Sequence, residues 1–281
     1  MALIIAQITD LHIGAPATGR SPDNGPRLVQ VLDAIKNLQP PPDMVIATGD
    51  LTQDGRPEQY RDLKSLTANF PIPIHWMLGN HDDKAAFDSV FAAPSVCENR
   101  LSSVIETETL RSILLDSCGA GRHAGHFDAA QASWLDKTLA EKPDTPTLIA
   151  IHHPPIFTGI DWMPVNNQNG WETELAKAIA PHRQIIKLIC GHLHRPADAM
   201  WNRLPVTICS STSPQLALDL RKIDPAHPDG RALMVDEAPA FAVHIWTGTS
   251  LISHHMRTDH SNTLIDYTSS SQGMVVASIN N

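Results

Sequence analysis

The sequence predicts an α/β fold built on parallel βαβ units, and three observations carry that expectation. Short apolar runs alternate with stretches of helical periodicity along most of the chain. Five polar motifs each follow directly on one of the strand-like runs. The composition, 42% hydrophobic in 281 residues, can fill a large core and excludes a disordered chain. At about 150 residues per domain the length corresponds to one or two domains.

The elements follow in order. Leu3 to Ile8 is an apolar run of strand length. After Pro26, residues Leu28, Val31, Leu32, Ile35 and Leu38 recur at helical spacing. Met44 to Ala47 is the next strand, and Pro57 opens a second helix with Tyr60, Leu63, Leu66 and Phe70 inward. Ile74 to Leu78, Ser103 to Ile105, Ile113 to Leu115, Leu148 to Ile151 and Ile185 to Ile189 are further strands, with helices at Ala129 to Ala140 and Trp171 to Ala180. From Pro205 the pattern turns to short β-like pieces: Val206 to Cys209, Ala232 to Val235, Ala242 to Thr247 and Leu251 to His255. They read as hairpins and a sheet edge, with Thr247-Gly248-Thr249 as a hairpin turn and a dimer edge as one use for them. Pro154 to Gly170 and Leu216 to Gly230 read as long loops of the kind that often carry function. The tail after Asp259 is polar and serine-rich.

Charge and cysteine usage bound the partners. A net charge of −9 removes the general attraction of a basic surface for polymeric nucleic acid, whereas small anions can still bind at a local positive centre. Cys97, Cys118, Cys190 and Cys209 form no C-x-x-C pair and read as free thiols. The N-terminal apolar run lacks a basic leader and a cleavage site, and no run of about 18 apolar residues occurs. A cytoplasmic protein without a membrane span is the expectation.

The chemistry sits in Asp10-Leu-His12, Gly49-Asp50, Gly79-Asn80-His81-Asp82, His152-His153-Pro154 and Gly191-His192-Leu-His194. In open α/β sheets the carboxyl ends of the strands form the binding crevice, so strands pointing one way would gather all five motifs. In an extended chain, Asp-x-His and His-x-His put alternate side chains on one face. Carboxylate, imidazole and amide donors without thiolate suit Mn, Fe, Zn or Co better than Cu(I) or Ca. Asp10, His12, Asp50, Asn80, His152, His192 and His194 make seven ligands, too many for one ion and natural for two that share a carboxylate. Each motif alone is commonplace: a turn, a cap or an ordinary histidine. Their conjunction is not. Of the remaining polar groups, His153 and Arg195 are candidate substrate contacts, Trp162 and Asn166 to Asn169 are candidate pocket residues, and His123 and His126 read as structural or surface groups.

This set resembles the calcineurin-like metallophosphoesterase superfamily, whose D-x-H, G-D, G-N-H-[DE], H and G-H-x-H elements are all present between Asp10 and His194. The resemblance implies a four-layer αββα sandwich of two mixed sheets over residues 1–258, with a C-terminal hairpin extension at about 205–258 and a tail at 259–281. It implies that Asp10, His12, Asp50 and His194 hold a first metal ion, that Asp50 bridges, and that Asn80, His152 and His192 complete a second site. His81 would contact the scissile phosphate or protonate the leaving group, with Asp82 orienting it. Leu114-Leu115-Asp116-Ser117, Gly125, Gln131, Trp134-Leu135 and the Arg195-Pro196 and Ser210-Ser211-Thr212 stretches resemble the branch of class III cyclic-nucleotide and glycerophosphodiester phosphodiesterases. The G-D-x-x-D-R-G signature of Ser/Thr protein phosphatases is absent, because Leu51-Thr52-Gln53-Asp54-Gly55 follows Asp50. The implied activity is hydrolysis of small phosphodiesters, 3',5'-cyclic nucleotides or glycerophosphodiesters, through a metal-bridging hydroxide. A phosphomonoesterase, a nuclease, and a non-catalytic scaffold are the competing readings.

Overall fold

A computed structural model describes residues 2–17, 22–92, 100–119, 123–163, 170–259 and 262–279. In chain order the elements are β1 (Leu3–Ile8), α1 (Asn24–Lys36), β2 (Met44–Thr48), α2 (Pro57–Thr67), β3 (Ile74–Met77), α3 (Lys84–Val90), β4 (Ser103–Glu106), β5 (Arg111–Leu115), α4 (Ala129–Ala140), β6 (Thr147–Ile151), α5 (Trp171–Ile179), β7 (Ile185–Cys190), β8 (Ala197–Trp201), β9 (Leu204–Ile208), β10 (Gln215–Leu216), β11 (Met234–Val235), β12 (Ala240–Trp246), β13 (Leu251–Arg257) and α6 (Gln272–Ile279). Short α3 and β8 carry no strong periodicity and are additions to the sequence reading. The loop residues 166–169 and Cys97 lie outside the described residues; Cys118, Cys190 and Cys209 are free thiols.

The strands form two large mixed sheets, ordered β13-β12-β1-β2-β3 and β4-β5-β6-β7-β9-β8. Each contains a run of parallel neighbours: β1-β2-β3 in one, β5-β6-β7-β9 in the other. Alternation along the strands builds the layers. Ala6, Ile8, Val45 and Ala47 face outward under Leu28, Val31 and Ile35 of α1 and Tyr60 and Leu63 of α2. Ile149, Ile151, Leu188 and Cys190 face the opposite way under Leu135 and Leu139 of α4 and Leu175 and Ile179 of α5. Ile5, Met44, Ile46 and Met77 meet Leu114, Leu148, Ala150 and Ile189 between the sheets. Helices, sheet, sheet, helices: this is the four-layer sandwich.

Four of the late strands extend the same two sheets, while β10 and β11 pair with each other in a separate antiparallel ribbon. β12 pairs antiparallel with β1, and β13 completes that sheet's edge; β9 lies parallel to β7, with β8 outside it. Local chemistry sets the boundaries. Asp23 caps α1 by accepting from Gly25 N at 2.9 Å, and Asp128 and Gln131 cap α4 reciprocally at 2.9 and 3.0 Å. Among the described residues no helix is long and apolar enough to cross a membrane.

Candidate metal centre

The carboxyl ends of β1, β2, β3, β6 and β7 converge, and with them all five motifs. The ligand atoms of Asp10, His12, Asp50 and His194 lie within 4.8 Å of one another, and so do those of His152, His153 and His192. Asp50 stands between the groups: its Oδ2 is 3.6 Å from His12 Nε2 and 3.5 Å from His152 Nε2, while its Oδ1 accepts from His81 N at 2.8 Å. Asn80 Oδ1 is 3.2 Å from His152 Nε2.

The backbone gathers these groups differently from the extended geometry expected of Asp-x-His and His-x-His. Asp10 (φ 51°), His12 (46°), Asp50 (50°), His192 (70°) and His194 (53°) all occupy the left-handed region. Among the described residues only Asn202, in the β8–β9 turn, joins them as a non-glycine with positive φ. Such conformations are uncommon outside glycine and persist where surrounding structure imposes them, often at functional sites. Here the imposition is visible: Asp10 N donates to Gly49 O and His12 N to Asp50 O, both at 3.0 Å, and His192 N donates to Asp10 Oδ2 at 3.0 Å. Two glycines make room. Gly49 takes φ 101°, and a Cβ on Gly79 would strike the Asp50 carboxylate and amide.

Hydrogen bonding on the far side of each ring fixes the lone pairs. A carbonyl oxygen only accepts, so His194 Nδ1 donates to Pro214 O at 2.9 Å and His152 Nδ1 donates to Thr48 O at 2.7 Å. His12 Nδ1 faces Gln53 Oε1 at 3.0 Å. In the neutral rings the Nε2 atoms of His12 and His194 are then both acceptors, and they face each other at 3.1 Å. Asp10 Oδ1, fully buried, accepts no hydrogen bond and stands 3.4 Å from His194 Nε2. Converging lone pairs and an orphaned buried carboxylate oxygen are unfavourable unless a cation lies among them. The residues present therefore fit a metal ion.

Burial shapes the protonation in the same sense. It pushes His12 down to about 3 and His192 well below the usual imidazole range, keeping both rings neutral as metal coordination requires. His152 is opposed by burial too, but Asp50 and Asp10 hold it up at about 9. A cation seated there would replace that proton. Asp10 is raised by burial; at Asp50 burial is outweighed by His152 and His12, and the carboxylate titrates well below its ordinary value.

Other candidates fall in different places. His153 is held on both sides: Ser117 Oγ lies 2.8 Å from Nδ1, and Nε2 is 3.2 Å from His123 O. Because the His123 carbonyl only accepts, Nε2 is the donor, and in the neutral ring Nδ1 accepts the Ser117 hydroxyl proton. That orientation favours the Asn80 oxygen over His153 beside His152 and His192. Arg195 donates to Leu216 O at 2.6 Å and to Glu237 Oε1 at 2.9 Å, engaged with the β10 segment. Asp82 does not orient His81. Its carboxylate accepts from Leu51 N, Thr52 N, Thr52 Oγ1, Tyr60 Oη and Gly79 N at 2.9–3.1 Å, which uses up its acceptors. Gln53 O, at 2.8 Å from His81 Nδ1, fixes that ring instead and turns Nε2 away from the backbone. Burial and Asp50 push Asp82 up to about 6 against the pull of its donors.

The sequence reading passed over His123. Its ring is 5.7 Å from that of His81, and its Nδ1 is 3.2 Å from Asn80 Nδ2, which puts it at the mouth of the centre. The available signal was its place after β5, which runs parallel to β6 and β7 and ends at the same side of the sheet.

A family model described as calcineurin-like phosphoesterase matches residues 3–196. The chain belongs to that family. Membership makes this calcineurin-like phosphoesterase a metal-dependent hydrolase, in keeping with the two ligand groups. Among similar proteins, a probable glycerophosphodiester phosphodiesterase of Arcobacter nitrofigilis is 35% identical, covering 90% of this chain and 92% of that one. The 3',5'-cyclic adenosine monophosphate phosphodiesterase CpdA of Escherichia coli K12 is 32% identical over 75% of this chain and 76% of its own. A dimetal phosphatase from Danio rerio shares the fold, with TM-score 0.68 at 13% identity, covering 92% of this chain and 97% of that structure.

Proposed function

We propose that this phosphoesterase hydrolyses small phosphodiesters, 3',5'-cyclic nucleotides or glycerophosphodiesters, at a two-metal centre. Asp10, His12, Asp50 and His194 would hold one ion; Asn80, His152 and His192 would hold the other, with Asp50 shared. The facing Nε2 atoms of His12 and His194, 3.1 Å apart with both rings anchored from behind, carry this reading. The named activities of the relatives from Arcobacter nitrofigilis and Escherichia coli supply the substrate class.

When bound, such ions neutralise phosphoryl charge and acidify water enough to make a nucleophile near neutral pH. The chain's own residues do the rest. Asp50 sets the two groups side by side. His81, fixed by Gln53 O, presents Nε2 toward the centre; protonated, it would contact a phosphoryl oxygen and pass its proton to the departing alkoxide. His123 and the Asn80 amide line the same mouth and can receive a phosphate oxygen. Net charge −9 places polymeric nucleic acid outside this substrate class.

The test is a substrate panel on protein stripped by chelation and reloaded with Mn, Fe, Zn or Co: cyclic AMP, a glycerophosphodiester, bis- and mono-p-nitrophenyl phosphate, and single-stranded DNA. The expected result is diester cleavage restored by two ions per chain. Full activity in the chelated protein, or turnover of the monoester alone, would refute the reading.

A further inference from the structure

One fully buried side chain between the sheets is not used by any chemistry described above. Gln7 lies inside β1, three residues before Asp10, at 0% exposure. Its amide nitrogen donates to Thr48 Oγ1 on β2 and to Cys190 O on β7, each at 2.9 Å. Thr48 stands two residues before Asp50, and Cys190 two before His192. A single amide, next to the end of β1, thus ties that strand to the last residues of β2 and β7, and each strand delivers a ligand a few ångströms further on. The β7 bond is the one that matters most, because it crosses from one sheet to the other. Around it the contacts between the sheets are apolar and non-directional, from Ile5, Ile46, Met77, Leu148 and Ile189. The nearby directional ties across the sheets are made by the ligands themselves, His152 to Thr48 O and His192 N to Asp10, or by Lys187 and Ser253 at the far side of His244. The apolar contacts resist separation but set no fixed offset between the layers.

The amide is itself held in one orientation. Both of its N–H groups are engaged, so its oxygen faces His244 Nε2, 3.0 Å away, which must donate. Lys187 Nζ donates to Ser253 Oγ at 2.5 Å, and the Ser253 hydroxyl then donates to His244 Nδ1 at 2.6 Å. The donors run one way from Lys187 to His244, and the Gln7 amide cannot flip without leaving His244 and Cys190 unpaired.

We infer that Gln7 is a positioning residue for the metal centre: it sets the offset of the sheet carrying His152 and His192 against the sheet carrying Asp10, Asp50 and Asn80. The inference rests on the two-metal reading above. Its consequence is specific. Asp10, His12 and Asp50 come from one sheet, so one ion would keep most of its ligands when the strut is cut. The other draws on both sheets through Asp50, Asn80, His152 and His192, and would suffer first.

The experiment compares the full-length chain with Gln7→Met, which keeps length and volume and removes all three hydrogen bonds, and with Gln7→Asn, which keeps the amide on a stem one methylene shorter. Metal binding is followed by calorimetry with Mn²⁺ and by electron paramagnetic resonance of the loaded protein, beside a thermal melt. Two ions per wild-type chain with an exchange-coupled spectrum establish the reading on which the inference rests; a single uncoupled ion in wild type would refute that reading and the strut with it. Given a two-ion wild type, the expected result for Gln7→Met is one ion bound near wild-type affinity and the second weakened about 10–100-fold, the range typical of residues that support metal ligands, with the coupled spectrum lost. Gln7→Asn should shift in the same direction by less, and it decides the matter if the methionine variant does not fold. A lower melting temperature with two ions still bound at wild-type affinity and coupling would overturn the proposal, because Gln7 would then be a structural residue only.

Discussion

Replacing Asp82 by alanine should weaken the fold far more than it weakens proton transfer. Five donors converge on this half-buried carboxylate, three of them backbone N–H groups: Leu51 and Thr52 directly after Asp50, and Gly79 directly before Asn80. Thr52 Oγ1 and Tyr60 Oη also accept, from Gly55 N at 3.2 Å and Asp83 N at 3.0 Å, but those contacts take no hydroxyl proton, so both O–H donors lose their acceptor too. The alanine variant therefore orphans all five donors; the two hydroxyls can turn toward water, whereas the three amides are fixed by the backbone and carry most of the loss. At about 1–2 kcal/mol for each donor left without a partner, discounted for the water that reaches this site, the loss is about 2–5 kcal/mol. Urea denaturation in a chelating buffer measures it without interference from metal release. Asp82→Asn keeps one acceptor oxygen but points an NH2 at the remaining donors, and should recover about half or less. A loss below about 1 kcal/mol for the alanine variant, together with an altered pH profile of kcat, would refute this argument and return Asp82 to the task of orienting His81.

Three further expectations follow from the same geometry. His81→Ala should lower kcat by about 10²–10⁴-fold with metal content unchanged by elemental analysis, because its anchor is the Gln53 carbonyl and its ring lies 4.6 Å from that of His12. Asn80→Ala should weaken one of the two ions by about tenfold or more in a calorimetric titration while leaving the other in place; two unchanged affinities would remove Asn80 from the ligand set. Burial holds His244 neutral and pushes it down to about 3, so the unfolded chain takes up its proton first as pH falls. Its contribution to stability is intact above about 6.5 and drains away toward 3 at about 1.4 kcal/mol per pH unit, roughly 2 kcal/mol by pH 5. The difference in urea stability between wild type and His244→Phe, measured in chelator at pH 7.5 and 5, should narrow by that amount; an unchanged difference would contradict it.

The motifs were legible because their chemistry is local: residue types at fixed short spacings after apolar runs of strand length. Which face of β1, β2 and β6 meets a helix layer was not legible, because these runs are apolar nearly throughout. Pairing across long separations was not legible either. Nothing in Ala240–Trp246 announces that it lies beside Leu3–Ile8, since the preference is spread over many small side-chain contacts. Backbone handedness was missed for a different reason. Asp-x-His reads as extended by default, and the left-handed φ values at Asp10 and His12 are imposed by bonds to Gly49 and Asp50, some 40 residues away. His123 escaped notice because a lone histidine in a loop has no spacing to betray it; only the fold sets it against Asn80 and His81.

The five left-handed ligands have an evolutionary and engineering corollary. At about 1 kcal/mol or more apiece, their local preference opposes the folded chain by an amount comparable with the net stability of an ordinary domain. Glycine at any of them would relax that tension while removing a ligand. At Asp10 and Asp50 the same change would orphan the His192 and His81 amides, so selection for heat resistance alone would erode the enzyme first at its histidine positions.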